Sequence, residues 1–443
     1  MRLPLRICLS GIVSFALVLS AALSQAFAGP VTLTSQLGKP LMLSGEKQLN
    51  YLKIGLTGES NRDEKSRAPV NLAIVIDRSG SMQGAKLDHA KRAANLAITR
   101  LNRDDIISVV AYDDQVDVLV PATKVSDREM ISRAIDALTP GNSTALFAGV
   151  SKGAAEVRKF HDQKRVNRII LLSDGLANVG PSAPEELGEL GASLRREGIS
   201  VTTLGLGLGY NEDLMAQLAR RSDGNHAFVE TPEQLSRIFD AEFGDVLSVC
   251  AQDVKVTIRF ENARPVRVLG RDADIHGQTV VAGLNQLYGG QEKFVLVELD
   301  VPAGEDRETR TIANVTVTFA GMKTGAVDTL QSSVSVKFSS NRHEVEESER
   351  KDVMISAVNL LANENYKLAT RLRDEGKVED ARKALAGNVM YLRDNATRYK
   401  SPQLKSFAEK NEESSKNLDE KNWNRNRKDM RKMQHSNDYQ QSY

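Results

Sequence analysis

The sequence predicts an α/β protein: a doubly wound, mostly parallel sheet, then an antiparallel β-sandwich and a C-terminal helical hairpin. Three observations lead there. Between residues 70 and 248, near-continuous apolar runs alternate with amphipathic helical stretches, the pattern of a parallel sheet covered on both faces. From 253 to about 340 the hydrophobic period falls to two, which marks half-buried antiparallel strands. From 345 to about 416 apolar residues recur at helical spacing. A chain of 443 residues is too long for one core, so two or three domains are expected.

At the N-terminus, Arg2 and Arg6 precede an apolar stretch from Ile7 to Leu23, and Ala26-Phe27-Ala28 offers a small-x-small cleavage pattern before Gly29. Residues 1–28 are therefore expected to be a signal peptide, with an uncleaved membrane anchor as the alternative. Ser10, Ser14 and Ser20 interrupt that stretch, and no later segment approaches the ~20 apolar residues of a spanning helix. An exported protein follows, periplasmic or extracellular. Only Cys250 remains after cleavage, so no internal disulfide can form. A buried apolar role for Cys250, near the end of a helix, is favoured over a disulfide-linked dimer.

Residues 29–65 are β-rich, with Leu52, Ile54 and Leu56 alternating, and are expected to complete the sandwich. Residues 66–248 form the α/β domain. Its strands are expected at 70–76, 105–112, 167–173, 199–206 and 225–229, with Val116–Val120 as an antiparallel edge strand after the turn Asp113-Asp114-Gln115. Residues 249–342 are the sandwich, with Val254, Val256, Ile258 and Phe260 as one of its alternating sets. Residues 343–418 are the helical hairpin, broken at Gly376. Residues 419–443 carry Lys421, Arg425, Arg427, Lys428, Arg431 and Lys432 and are expected to be a disordered basic tail.

Chemistry concentrates at Asp77-Arg78-Ser79-Gly80-Ser81, directly after the apolar run Val70–Ile76. A carboxylate and two hydroxyls alternate past the end of a buried strand, which suits a hard divalent cation held by oxygen. Gly80 and Gly84 let this loop turn tightly. Ser143-Thr144-Ala145-Leu146 and Leu171-Leu172-Ser173-Asp174-Gly175 follow. Together, in this order, the three elements resemble the metal-ion-dependent adhesion site (MIDAS) of von Willebrand factor A (VWA) domains, whose sheet is Rossmann-like. The resemblance covers about residues 70–248. It implies hydroxyl ligands from Ser79, Ser81 and Thr144 and carboxylates from Asp77 and Asp174, partly through water. It also implies Mg²⁺, with Mn²⁺ or Ca²⁺ as alternatives, and a partner protein whose Glu or Asp completes the coordination. Two carboxylates balance a divalent charge, and three neutral hydroxyls leave the ion electron-poor. The plainer alternative is a cap for the helix starting near Ala85, which accounts for one residue and not for Thr144 and Asp174.

An A-type domain followed by a β-rich one is similar to exported bacterial proteins related to the inter-α-trypsin inhibitor heavy chains. It is also similar to the calcium-activated chloride channel homologues. The channel function does not carry over, because no pore-forming span is present. His343-Glu344-Val345-Glu346-Glu347 lacks the second histidine of the zinc protease motif. Net charge is +1, and −1 without Arg2 and Arg6, so charge gives no reason to propose nucleic acid as partner.

The expected function is a metal-dependent protein-binding module of the bacterial cell envelope, for adhesion or assembly, and not an enzyme. One alternative is an envelope scaffold with a purely structural metal. Another is a metal-assisted hydrolase, which needs a base beside a metal-bound water. Asp113 and Asp114 are near in sequence but sit on a hairpin turn. None of the six histidines is spaced as a ligand pair, and no Gly-x-Ser-x-Gly or phosphate loop occurs.

Overall fold

The computed structural model describes residues 24–60 and 67–441. The expected signal peptide lies outside these residues up to position 23, and β1 (Ser24–Ala28) occupies the stretch around the expected cleavage site.

The α/β unit is built on a six-stranded sheet in the order β10-β9-β8-β5-β6-β7. Its strands are β5 (Val70–Asp77), β6 (Ile106–Tyr112), β7 (Val116–Lys124), β8 (Val166–Ser173), β9 (Ser200–Leu206) and β10 (His226–Val229). Five run parallel, and β7 pairs antiparallel with β6 at the edge. Every residue of β5, β6, β8 and β9 is buried, which is why these strands read as near-continuous apolar runs. One face is covered by α1 (Ala85–Arg100) and α6 (Pro232–Ser248), with α2 (Arg128–Asp136) beside them. The other face is covered by α3 (Leu146–Arg158), α4 (Pro184–Arg196) and α5 (Glu212–Arg221). The chain passes from β5 to β6 on one side and later places β8 on the other. The order of strands therefore reverses at β5–β8, and in such sheets ligands gather past the carboxyl ends at that point.

A sandwich of two sheets lies beside this unit. One sheet has the order β1-β2-β4-β15-β12 and the other β13-β14-β11-β16-β17-β3, where β3 is Leu41–Leu43, β12 Arg264–Leu269, β13 Ala273–His276 and β17 Val327–Ser339. β4 (Gln48–Gly58) pairs along the whole of β15 (Glu292–Val301), next to β2 (Val31–Leu37). The opposite sheet centres on β11 (Val249–Phe260), between β14 (Thr279–Tyr288) and β16 (Thr309–Gly321). The α/β unit is thus an insertion between β4 and β11. Leu52, Ile54 and Leu56 share one core with Val254, Val256 and Ile258, as alternating inner faces of packed sheets do. The helix expected to carry Cys250 stops at Ser248 instead, and Cys250 is the second residue of β11. Its thiol is free, and burial pushes its pKa up to about 11.

A buried ion pair of the α/β unit hydrogen-bonds across to the sandwich. Arg168 on β8 donates to Glu242 on α6 at 2.6 Å and, across the interface, to Gln286 and Tyr288 on β14 at 3.1 and 3.2 Å. Both charged side chains are fully buried, so each depends on the other for neutralisation.

The C-terminal region corrects two expectations. The segment 343–418 is not a simple hairpin: it holds α7 (Arg342–Glu347), α8 (Lys351–Asp374), α9 (Val378–Tyr399) and α10 (Pro402–Lys416). Gly376 does end α8, taking φ +80°. Of the expected disordered tail 419–443, the described residues 419–441 are ordered. Asp419 caps α11 (Glu420–Tyr439), accepting from the Asn422 N–H at 3.1 Å. The face that α11 buries carries Asn426, Lys428, Gln434, His435 and Asp438 beside Met430 and Tyr439, so hydropathy periodicity cannot reveal it. Its anchors are polar. Lys428 Nζ donates to Tyr210 O at 2.9 Å and pairs with Glu212, while Arg427 pairs with Glu212, Asp213 and Asp374. α11 therefore docks on α5 of the α/β unit by charge, and on α8 by packing together with the ion pairs Arg427–Asp374 and Lys367–Asp438. Among the described residues, no helix is long and apolar enough to cross a membrane.

Candidate metal centre

β5 ends at Asp77 and β8 at Ser173, side by side at the switch point. Asp77 Oδ1 accepts from the Ser79 N–H at 2.8 Å, which folds the chain back over the strand end. Asp77 Oδ2 accepts from Ser173 Oγ at 2.6 Å. Ser79 and Ser81 hydroxyls lie 3.1 Å apart, and Ser81 Oγ donates to Asp174 Oδ1 at 2.7 Å. A tight 3-10 turn, Gly80–Met82, carries Ser81. α1 is capped by Gly84, at φ +81°, with no side-chain cap bond. The capping alternative for Asp77, Ser79 and Ser81 is thereby removed.

Thr144 arrives from a separate loop, fixed on two sides. Its N–H donates to Asn178 Oδ1 at 2.8 Å, and its carbonyl accepts from Asn178 N at 3.1 Å. Gly141 N donates to Arg78 O at 2.6 Å and Gly80 N to Asn142 O at 2.9 Å, which joins this loop to the Asp77–Ser81 turn. Arg78 in turn reaches Asp113 at 3.1 Å and Asp117 at 2.6 Å. Asp113 therefore braces the loop, and although burial raises its carboxyl, the Gln115 N–H at 2.7 Å and the Arg78 guanidinium together hold it below the usual range.

Convergence is measured best at Gly175. A Cβ built there would lie 3.1 Å from Thr144 Oγ1 and 3.5 Å from both Asp77 Oδ2 and Ser81 Oγ. The absent side chain leaves a cradle with oxygens from three separate segments around it. Asp77, Ser79, Thr144 and Asp174 are buried and Ser81 is exposed, so the cradle opens on the Ser81 side. Burial pushes the Asp77 carboxyl up, opposed by the hydrogen bonds from Ser173 and Ser79, and the nearby Asp174 charge adds to the rise. A cation among these oxygens would reverse that balance. The donor set of two carboxylates and three hydroxyls fits a hard divalent ion with room for water.

All five residues singled out in the sequence meet here: Asp77, Ser79, Ser81, Thr144 and Asp174. Sequence reasoning misses the residues around them. Lys86, on the first turn of α1, contacts Asp174 Oδ2 and donates to Ser81 O at 3.3 Å. Ser173 and Asn178 orient Asp77 and Thr144. The signal available for Lys86 was its place one turn into the helix that follows the serine loop.

The family profile for the von Willebrand factor type A domain matches residues 71–241. This chain carries a VWA domain. The match fits the unit that holds the cradle. Escherichia coli YfbK is 29% identical over 219 residues, which are 49% of this chain and 38% of YfbK. Bovine inter-alpha-trypsin inhibitor heavy chain H3 is 30% identical over 165 residues, 35% of this chain and 18% of its own. This chain therefore spans less than half the length of either relative. The crystal structure of the ArnB paralog VWA2 from Sulfolobus acidocaldarius superimposes with a TM-score of 0.64 at 18% identity, covering 92% of this chain and 98% of that one. The likeness extends past the VWA domain, so the sandwich and C-terminal helices belong to a shared architecture. VWA domains are commonly non-enzymatic protein-interaction modules, and they commonly bind a divalent metal at the MIDAS.

Proposed function

We propose that this chain is a metal-dependent protein-binding module of the bacterial cell envelope, acting in adhesion or assembly and not in catalysis. Asp77, Ser79, Ser81, Thr144 and Asp174 would hold Mg²⁺, or Mn²⁺ or Ca²⁺, and a Glu or Asp of a partner protein would complete its shell. The observation that carries this reading is the cradle at Gly175, where three segments bring oxygens within 3.1–3.5 Å of one point. Two carboxylates match the charge of the ion, and neutral hydroxyls leave it able to accept another carboxylate. The apolar segment Ile7–Leu23 with Ala26-Phe27-Ala28 supports export.

The test is titration of Mg²⁺ into chelator-treated protein by calorimetry, with Asp77→Ala as control, and then capture from envelope extract. Wild type is expected to bind the ion and retain a partner that chelator releases, and Asp77→Ala to do neither. Retention that ignores both chelator and mutation would refute it.

A scaffold with a structural metal is the second reading, favoured by the bracing of the VWA domain through α11 and Arg168. It predicts a sharp loss of melting temperature on chelation with no loss of partner.

A further inference from the structure

Three loops meet at the cradle: 139–145 between α2 and α3, 175–183 between β8 and α4, and 207–211 between β9 and α5. The chain is 26% charged, yet none of these loops holds Asp, Glu, Lys, Arg or His. Each is tied to a cradle residue. The first carries Thr144. The second begins at Gly175, and its Asn178 and Val179 N–H groups both donate to Thr144 O, at 3.1 and 3.3 Å. The third lies on Asp174, since a Cβ built at Gly209 would stand 2.9 Å from Asp174 O. α11 holds this third loop in place: Lys428 Nζ donates to Tyr210 O at 2.9 Å and Asn424 Nδ2 to Leu208 O at 3.2 Å.

Two of the loops turn large apolar side chains to solvent. Leu176 is 57% exposed, Val179 36% and Leu208 45%. Among the described residues of the VWA domain, the other exposed large apolar side chains are Met130, on α2, and Phe160, past the end of α3. Single exposed apolar residues are ordinary. Three gathered on uncharged loops around one polar cradle mark a contact surface, and the dried centre of a protein interface is likewise poor in charge.

The occupant follows from both parts of this face. A partner dense in charge would lose its hydration against these loops and find no counter-charge there. A carboxylate on a fatty chain needs an enclosed apolar channel, whereas these side chains stand open. A protein surface with one carboxylate among apolar side chains meets the cradle at its centre and covers Leu176, Val179 and Leu208 around it. Water then leaves the contact, which strengthens the charge interaction in the middle.

Resting on the metal-dependent binding proposed above, we propose that Leu176, Val179 and Leu208 form an apolar rim that selects partner proteins whose bridging Glu or Asp stands between apolar side chains.

The experiment immobilises the full chain in Mg²⁺ and exposes it to phage displaying a random loop with a fixed central glutamate on a small folded scaffold. Phage released by chelator are sequenced. Leu176→Ser/Leu208→Ser is the variant, because both side chains are exposed and neither supplies a cradle oxygen; Val179→Ser is a second. Calorimetry with Mg²⁺ alone checks the cradle in each. Wild type and variants are expected to bind Mg²⁺ alike. Loops selected on wild type should be enriched in apolar residues beside the glutamate, and should bind the double variant at least about tenfold more weakly and Val179→Ser more weakly than wild type. Failure of wild type to bind Mg²⁺ would overturn the metal-dependent reading and the rim with it. Mg²⁺ binding in which chelator releases no loops, or loops without apolar preference, or loops that bind the variants as tightly as wild type, would overturn the rim alone. So would Mg²⁺-dependent binding of decanoate as tight as that of the selected loops.

Discussion

Lys86 is a cation tethered to the same carboxylate that a divalent ion would use. Its Nζ contacts Asp174 Oδ2, where the carboxylate is fully buried and the lysine side chain is 33% exposed. An ion entering the cradle must share Asp174 with Lys86 or displace it. A hydrogen bond between charged groups is worth roughly 1.5–3 kcal/mol, and solvent access on the lysine side lowers this to about 1–2 kcal/mol. At 1.36 kcal/mol per factor of ten, Lys86→Met should tighten Mg²⁺ binding about 5- to 30-fold. Calorimetric titration of chelator-treated protein measures this directly. The same variant should melt lower than wild type in chelator, because Asp174 loses its counter-charge, and should gain more from added Mg²⁺. Mg²⁺ affinity equal to or weaker than that of wild type would refute the competition. It would mean that the ammonium leaves Asp174 at no cost, or helps to hold the ion.

Gly175→Ala places a methyl group in the cradle, 3.1 Å from Thr144 Oγ1; Mg²⁺ affinity should fall roughly tenfold or more with an unchanged circular dichroism spectrum. Glu242→Ala leaves the Arg168 guanidinium buried and unpaired and should destabilise by ~3–5 kcal/mol in urea unfolding; a loss under about 1 kcal/mol would contradict the pairing. His226 is fully buried, and burial lowers its pKa to about 4, while burial and its neighbour His226 push His435 well down too. In the unfolded chain both titrate near 6.5, so the unfolded state binds more protons as pH falls. Stability should be full above pH ~6.5 and drop toward pH ~4, by ~3 kcal/mol for His226 alone. Flat urea midpoints across that window would refute it.

The parallel sheet is readable in advance because its strands are buried on both faces, so near-continuous apolar runs such as Leu72–Ile76 and Ile169–Leu172 stand between amphipathic helices. The five oxygen-bearing residues are readable because a strand end followed by alternating Asp and Ser has few other uses. Lys86 is not, because a lysine in the first turn of a surface helix reads as solvated. α11 is the clearest failure. Its charges at Arg427, Lys428 and Arg431 read as a basic tail, yet their acidic partners lie on α5, some 215 residues away in sequence (Glu212 and Arg427). Local composition shows one half of each ion pair. The buried pair of Arg168 and Glu242 is hidden for the same reason, since each lies in a different element.

The insertion topology has a mechanical consequence. Two chain crossings join the VWA domain to the sandwich, one at the end of β4 and one at the start of β11. They lie side by side, because Gly58 bridges to Gly289 and sits against Cys250. Each crossing leads into an inner strand, β4 between β2 and β15, and β11 between β14 and β16. A tensile load applied at the Gly175 cradle would divide between the two sheets. Each strand would be pulled from its end, so its lateral hydrogen bonds resist together in shear and are not peeled apart one by one. A domain hung from one linker would put the same load on a single strand.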